Sequence, residues 1–418
     1  MSPSDSSWEI DYQCPQCGAP VTVEETVRLF GCPFCRVRLC FPPDDSLRCY
    51  LPPVADLPAE PIFVPYWRVK GMVFSCKEAG TEQLSLDASV LALKRRSFKP
   101  SLGIRPQAMR LKLFSPGTPG HPLKYDVPRE DILAHVEEQL GSAIVPRQCG
   151  PVFHKTFIGE TISMIYTPVF VTDGVVYDAI TKEPLQGTSR KDVSIDEPAG
   201  SKDEWGARFI PALCPDCGWN LAGEGDSVVL FCDHCSSAWK MTGAGLQRLD
   251  HAILEADGTA DFYLPFWRVR AQVEGLELGS YADLVRLANL PKAARPEWSD
   301  KPFYFWVPAF KVRPDLFLRI ARQTTISQPD ERIAERTTGS SFYPATLADN
   351  EAAEFLTVIV GDMAAAKRKV LPRLGEIRIQ MTESRLTYIP FISQLGELDN
   401  IQMRLSINKN ALKYGRNL

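Results

Sequence analysis

Apolar positions in this chain fall mostly into short dense runs and two-residue alternations, a pattern that predicts strands more often than helices. The stretch from Ile62 to Phe74 is rich in aromatic and β-branched side chains and reads as a strand, with Pro65 at its start or on an edge. Residues 110–114 alternate polar and apolar and predict another. Residues 161–171 and 174–178 predict a hairpin turning about Thr172, Asp173 and Gly174. A helical period shows over 129–141, where Ile132, Leu133, Val136 and Leu140 share one face and Gly141 can cap the end. Beyond residue 300 the pattern predicts strands near 303–320, a helix around 346–366 and terminal strands near 375–406. Between these elements, prolines crowd 41–61 and predict an extended strap, while 187–206 turns polar and predicts a linker.

The order of these elements occurs twice. Pro65, Trp67, Arg68 and Val69 return as Pro265, Trp267, Arg268 and Val269; Gly18, Arg48 and Val73 return as Gly218, Arg248 and Val273. Farther on the spacing drifts, so that Arg105-Pro106 answers to Arg313-Pro314 and Tyr166-Thr167-Pro168 to Tyr388-Ile389-Pro390. Drift with preserved order is what loop insertions between repeated elements produce. The expected fold class is therefore α+β, mostly β: two four-cysteine zinc ribbons, each followed by a β-rich domain, arising from internal duplication. The expected boundaries are ribbon one at 10–41, β-rich domain one at 62–186, the linker at 187–206, ribbon two at 210–242 and β-rich domain two at 260–418.

The ribbons rest on cysteine spacing. Cys14 and Cys17 form a two-residue-gap pair, followed fourteen residues later by Cys32 and Cys35; Cys214, Cys217, Cys232 and Cys235 repeat the pattern. A two-residue gap lets one tight turn aim both thiolates at one ion, and two such turns complete the closed tetrahedral shell that structural zinc prefers. Two structural zinc ions are expected. The other four cysteines, Cys40, Cys49, Cys76 and Cys149, have no counterparts in the second half and read as small apolar filler. His234 lies inside a knuckle already supplied with four thiolates and reads as a solvent-facing loop residue.

Composition narrows the function classes. The chain has 418 residues, 44% of them apolar and 23% charged, as an ordinary multidomain globular protein has. No apolar run approaches the roughly 18 residues of a membrane helix, no secretory leader is evident at the start, and thiolate ligands call for a reducing compartment; a cytoplasmic protein is expected. The formal charge is −4, and since a zinc tetrathiolate contributes two further negative charges, two occupied sites take it to −8. Between its outer cysteines ribbon two carries Asp216, Glu224, Asp226 and Asp233 with no lysine or arginine, whereas phosphate binding demands cations. The basic clusters at 94–96 and 367–369 read as solvated faces. No P-loop, dinucleotide fingerprint, zinc-protease helix or nucleophile elbow occurs, and a closed four-thiolate shell has no open position for a substrate.

Trp67, Arg68, Trp267 and Arg268 are the best-matched residues apart from the cysteines. On a strand, neighbours point to opposite faces, which predicts a core tryptophan and an arginine turned outward or paired with a carboxylate. The competing expectation makes them contact residues for a partner, where exposed Trp and Arg supply much of the energy.

The Cys-Pro-x-Cys-Gly openings, Cys14 to Gly18 and Cys214 to Gly218, and the paired knuckles resemble those of the zinc-ribbon superfamily. The resemblance covers about 22 residues per copy and implies metal binding and a ribbon fold. The overall arrangement is also similar to uncharacterised bacterial proteins with ribbons ahead of β domains, some of them associated with membrane scaffolds of the prohibitin–flotillin type. That resemblance implies peripheral association with a membrane assembly, although no spanning helix is predicted. The expected function is a non-catalytic zinc-binding interaction or scaffold protein acting on protein partners. The alternatives are a nucleic-acid-binding or transcription-associated zinc-ribbon protein and an enzyme with an unrecognised site.

Overall fold

The structure is a computed structural model that describes residues 8–42, 47–94, 97–103, 105–115, 117–141, 150–193, 208–256, 258, 260–292, 295–334 and 341–416. Strand accounts for 41% and helix for 20%, so the chain is mostly β. Cys149, Arg95, Arg96 and residues 194–206 of the expected linker lie outside the described residues.

Each half is built on two long antiparallel strands. In the first half Ile62–Lys77 pairs with Val152–Thr172 on one side and with Gly80–Leu91 on the other. In the second, Phe262–Glu274 pairs with Arg378–Gln394 and, on its other side, with the short strand Phe305–Pro308. The predicted hairpin forms: Thr172 faces Val175 across Asp173 and Gly174, whose φ angles of 52° and 80° are the left-handed pair that a two-residue turn needs.

Several hydrogen bonds recur at matching positions of the two halves. The Trp67 indole N–H donates to the Val127 carbonyl at 2.8 Å, and that of Trp267 to Leu347 at the same distance. Leu51 N–H donates to Tyr166 and Leu254 N–H to Tyr388; Ala92 donates to Pro65 and Ala309 to Pro265. A strand running parallel to the return strand flanks each half, Leu47–Tyr50 in the first and His251–Ile253 in the second.

Three sequence expectations are corrected. Pro65 sits at neither the start nor the edge of its strand. It falls at a seam, because the short segment His121–Pro122 pairs with Ile62 and Phe63 while Gly80–Leu91 takes over only at Tyr66. The Pro65 carbonyl accepts the Ala92 N–H there, but no N–H donor is required of it, so proline is tolerated inside a central strand. Pro265 occupies the same seam, between Ser341–Phe342 and Phe305–Pro308. Second, residues 314–320 are helical: Pro314–Ser327 is a helix with proline in its first turn, burying Phe317, Ile320, Ala321 and Thr324. Third, the proline strap contains the strand Leu47–Tyr50, and the start of the expected linker, 187–189, ends the strand Pro184–Ser189.

The predicted helices form over Ile132–Leu140 and Asp349–Met363. The second is the centre of the molecule. It carries Phe355, Leu356, Val358 and Ile359 into an apolar cluster that also holds Met72, Phe74, Cys76 and Ile158 from the first half's long strands. Phe74 meets Phe355 edge-on with ring centroids 4.7 Å apart. The β-rich parts therefore share one core. The ribbons share one too: Ile210 and Pro211 add to the edge of Arg38–Cys40, Arg28 and Leu29 N–H both donate to the Gly225 carbonyl, and Leu29 and Cys40 pack beside Leu230 and Trp239. Among the described residues no helix is long and apolar enough to cross a membrane.

Candidate metal centres

Each knuckle is a tight turn closed by a backbone bond onto its first cysteine. Gly18 donates to the Cys14 carbonyl, Arg36 to Cys32, Gly218 to Cys214 and Ser236 to Cys232, all at 2.8–2.9 Å. The residue after the second cysteine is left-handed in every case, with φ of 72° at Gly18, 62° at Arg36, 74° at Gly218 and 56° at Ser236. Glycine takes this conformation without cost, which accounts for the Cys-Gly pairs of the two opening knuckles.

These turns gather the sulfurs of Cys14, Cys17, Cys32 and Cys35, and those of Cys214, Cys217, Cys232 and Cys235, so that within each set all lie within 4.8 Å of one another. Cys14 and Cys17 sit 3.8 Å from Cys35 and Cys32 respectively; the matching separations in ribbon two are 3.6 and 3.4 Å. A tetrahedron with metal–sulfur bonds of about 2.3 Å has edges of about 3.8 Å, so the sulfurs stand where a four-coordinate ion needs them. A disulfide would need about 2.05 Å, and the cysteines are free. All eight predicted ligands are thus brought together, four and four, and each set can hold a metal ion.

The thiols of one set compete for protons. Burial works against the Cys32 thiolate, but the N–H groups of Cys35 and Phe34 and the neighbouring thiols outweigh it and lower its pKa to about 7. Cys35 accepts the Val37 N–H, yet partial desolvation and the sulfurs of Cys17, Cys32 and Cys14 push it up to about 12. In ribbon two burial again opposes ionisation of Cys214, and the Ser237 hydroxyl with the N–H groups of Cys217 and Asp216 lowers it to about 6. Cys217 accepts the Trp219 N–H but is raised to about 12 by desolvation and by its neighbouring sulfurs. A dication supplies the charge that lets the last protons leave.

Cys32 and Cys214 have folded pKa values below that of a free thiol, so the stability they contribute is present above the ordinary thiol range and lost as pH falls through about 7 and about 6. Bound metal competes with protons and moves that loss further down. Acidification is therefore expected to release metal and unfold the ribbons together, checked by following release into a chromophoric chelator alongside circular dichroism.

Trp67, Arg68, Trp267 and Arg268, which the competing expectation would have turned toward a partner, all lie inside. Trp67 and Trp267 are buried core anchors, and Arg68 and Arg268 are buried as well. Arg268 pairs with Glu331 at 2.7 Å and Glu383 at 3.2 Å, and lies over the Tyr304 ring. Phenylalanine at position 67 or 267 keeps most of the packing but orphans a buried carbonyl. A loss of about 1–3 kcal/mol is expected for each, read from denaturant midpoints at unchanged metal content.

Sequence reasoning missed one buried charge cluster. Arg68 is 1% exposed; it pairs with Glu25 at 3.2 Å and with Asp87, and its guanidinium lies 4.0 Å from the centre of the Trp8 ring. Lys70 is 2% exposed and its ammonium has no hydrogen-bond partner among the described residues; burial lowers its pKa, opposed by Glu25 and Asp87. Glu25 belongs to the ribbon-one hairpin, so this cluster ties the ribbon to the long strands. The available signal was the spacing of Arg68 and Lys70, two residues apart on one face of an apolar strand.

Cys40, Cys49 and Cys76 are buried, and burial raises all three thiols, to about 12 at Cys40 and about 11 at Cys76, as expected of inert filler. His234 is exposed. A cavity of about 650 Å³ lies between the halves, lined by Arg129, His154, Lys155, Phe157 and Ile162 from the first and Glu354 from the second. Comparison of the chain with protein-family models, with curated proteins and with solved structures finds no match.

Proposed function

We propose that this chain is a non-catalytic protein stabilised by two structural zinc ions, descended from an internal duplication, and acting through contacts with other proteins in a reducing, cytoplasmic compartment. The observation that carries the reading is the pair of closed four-sulfur shells. A tetrahedral set of four thiolates suits zinc or iron, and with all four positions filled by protein there is no site for a reacting water or substrate. The matching Trp67–Val127 and Trp267–Leu347 bonds, with the paired seams at Pro65 and Pro265, support the duplication. The charge of −4 before metal, and the acidic ribbon two, favour protein over nucleic acid as partner. Peripheral attachment to a membrane-associated assembly remains part of the reading through the resemblance to bacterial ribbon proteins.

The test is purification of the full chain from native lysate, with metals measured by plasma mass spectrometry and the eluate split for nuclease treatment. About two zinc per chain, a colourless protein and a partner that survives nuclease are expected. A red iron protein would overturn the zinc assignment. Partners lost with nuclease would replace the protein-contact reading with the nucleic-acid one.

A further inference from the structure

The two ribbons make the same turns but present different surfaces at their tips. Cys14 N–H donates to the Ala19 carbonyl at 2.9 Å, and Cys214 N–H to the Trp219 carbonyl at 2.7 Å. The turn therefore forms with alanine in one copy and needs no indole in the other. Trp219 is nevertheless 59% exposed, and its ring stacks on that of His234, from the opposite knuckle, with centroids 5.4 Å apart and planes 23° from parallel. Leu213, 47% exposed, bridges to Asn220 beside it. The stacked pair and Leu213 together form a small solvent-facing aromatic and apolar patch, and Trp is among the side chains most enriched where interfaces concentrate their energy.

The surroundings select the partner's charge. Asp216 and Asp233 sit within the two knuckles, both exposed, and a bound dication leaves the four thiolates with two net negative charges. No lysine or arginine occurs between Phe209 and Trp239. Two arginines border this tip: Arg248 pairs with Asp216 at 2.7 Å, and Arg38 donates to the Leu221 carbonyl at 2.9 Å; among the described residues no ion pair engages Asp233. An exposed indole with carboxylates in both adjoining knuckles suits a planar guanidinium, a group that stacks on aromatic rings and bonds carboxylates through paired N–H groups. A nucleobase could also stack on Trp219, but its phosphates would face this negative field.

We infer that the tip of ribbon two, built on Trp219, His234 and Asp233, is a docking site for an arginine-bearing protein segment. The inference rests on the protein-contact reading above and names the kind of partner it takes. Ribbon one differs at each of these positions, with Ala19 for Trp219, Phe34 for His234 and Pro33 for Asp233, so the site belongs to one copy.

The test uses the full metal-loaded chain and fluorescein-labelled Gly/Ser peptides carrying two arginines, two lysines or two glutamates, with a single-stranded RNA oligonucleotide of similar length as competitor. Saturable, salt-weakened binding of the arginine peptide is expected, weaker binding of the lysine peptide and none of the glutamate peptide. W219A is expected to lose about tenfold or more in affinity and D233N less, with metal content and melting unchanged, while F34A on ribbon one binds as the parent does. Unchanged affinity in W219A, no binding of the arginine peptide by the parent chain, or displacement by RNA in preference to the arginine peptide would overturn the inference. A nuclease-resistant protein partner that still co-purifies with W219A would leave the broader reading standing and this site wrong. A loaded chain that retains no protein partner at all would remove the broader reading itself.

Discussion

Replacing Cys214 with serine is expected to cost more than any other single change described for this chain. A structural zinc contributes on the order of 10–16 kcal/mol of apparent binding free energy to a ribbon that has little core of its own. Ribbon two buries Leu221, Leu230, Trp239 and Met241, but the same cluster includes Leu29 and Cys40 of ribbon one. It also supplies the Gly225 carbonyl that accepts the N–H groups of Arg28 and Leu29. Metal loss at ribbon two should therefore expose part of ribbon one as well. The expected result is a fall from about two bound ions to about one or fewer, with a lower unfolding midpoint. Cys14→Ser should act in the opposite direction through the same contacts. Metal counting on both variants, with protease sensitivity mapped across residues 8–42 and 208–249, checks the coupling. Loss confined strictly to the mutated ribbon would show that the shared strand edge carries no cooperativity.

The two four-cysteine clusters were legible because coordination chemistry fixes such spacing: the gap of two follows from one turn serving one ion, whatever else surrounds it. The long strands were legible for a similar local reason, since Ile62–Lys77 and Phe262–Glu274 are dense in residues that fit a pleated, buried surface. What failed depended on neighbours distant in sequence. Pro65 reads as an edge residue until it is known that its strand has two successive partners on one side. The helix Pro314–Ser327 was obscured by the aromatic run from Phe303 to Trp306, although Pro314 and Asp315 carried a start signal. Docking of the ribbons through Ile210 and Cys40 left no trace in either segment's pattern, because a two-residue edge pairing imposes no periodicity. Trp67 and Trp267 were placed correctly by alternation alone, but alternation could not say that Arg68 also lies inside. A buried guanidinium needs carboxylates, and those came from Glu25 on the ribbon and Asp87 on the adjoining strand.

That dependence makes Glu25 the most consequential charged residue of the first half. Its carboxylate is 2% exposed and faces both Arg68 and Lys70, whereas Asp87, the other counter-ion, has a half-exposed side chain. Glu25→Leu would leave two buried cations facing only the half-exposed Asp87 and, for Lys70, Glu24. Breaking a buried pair from one side costs about 3–5 kcal/mol, because the remaining charge keeps its desolvation penalty without its partner. The double change Glu25→Leu with Arg68→Met removes both charges of the pair and is expected to recover most of that loss, since an apolar replacement of similar volume carries no such penalty. The second half provides the internal control. Position 225 is glycine, and Arg268 draws on Glu331 and Glu383 from its own β-rich part rather than on a ribbon. Urea unfolding followed separately at the two ends of the chain should then show the Glu25→Leu loss in the first half and metal retained in ribbon two. If the double variant is no more stable than the single one, the pair's contribution is packing against Trp8 rather than charge, and the link between ribbon one and the long strands is apolar.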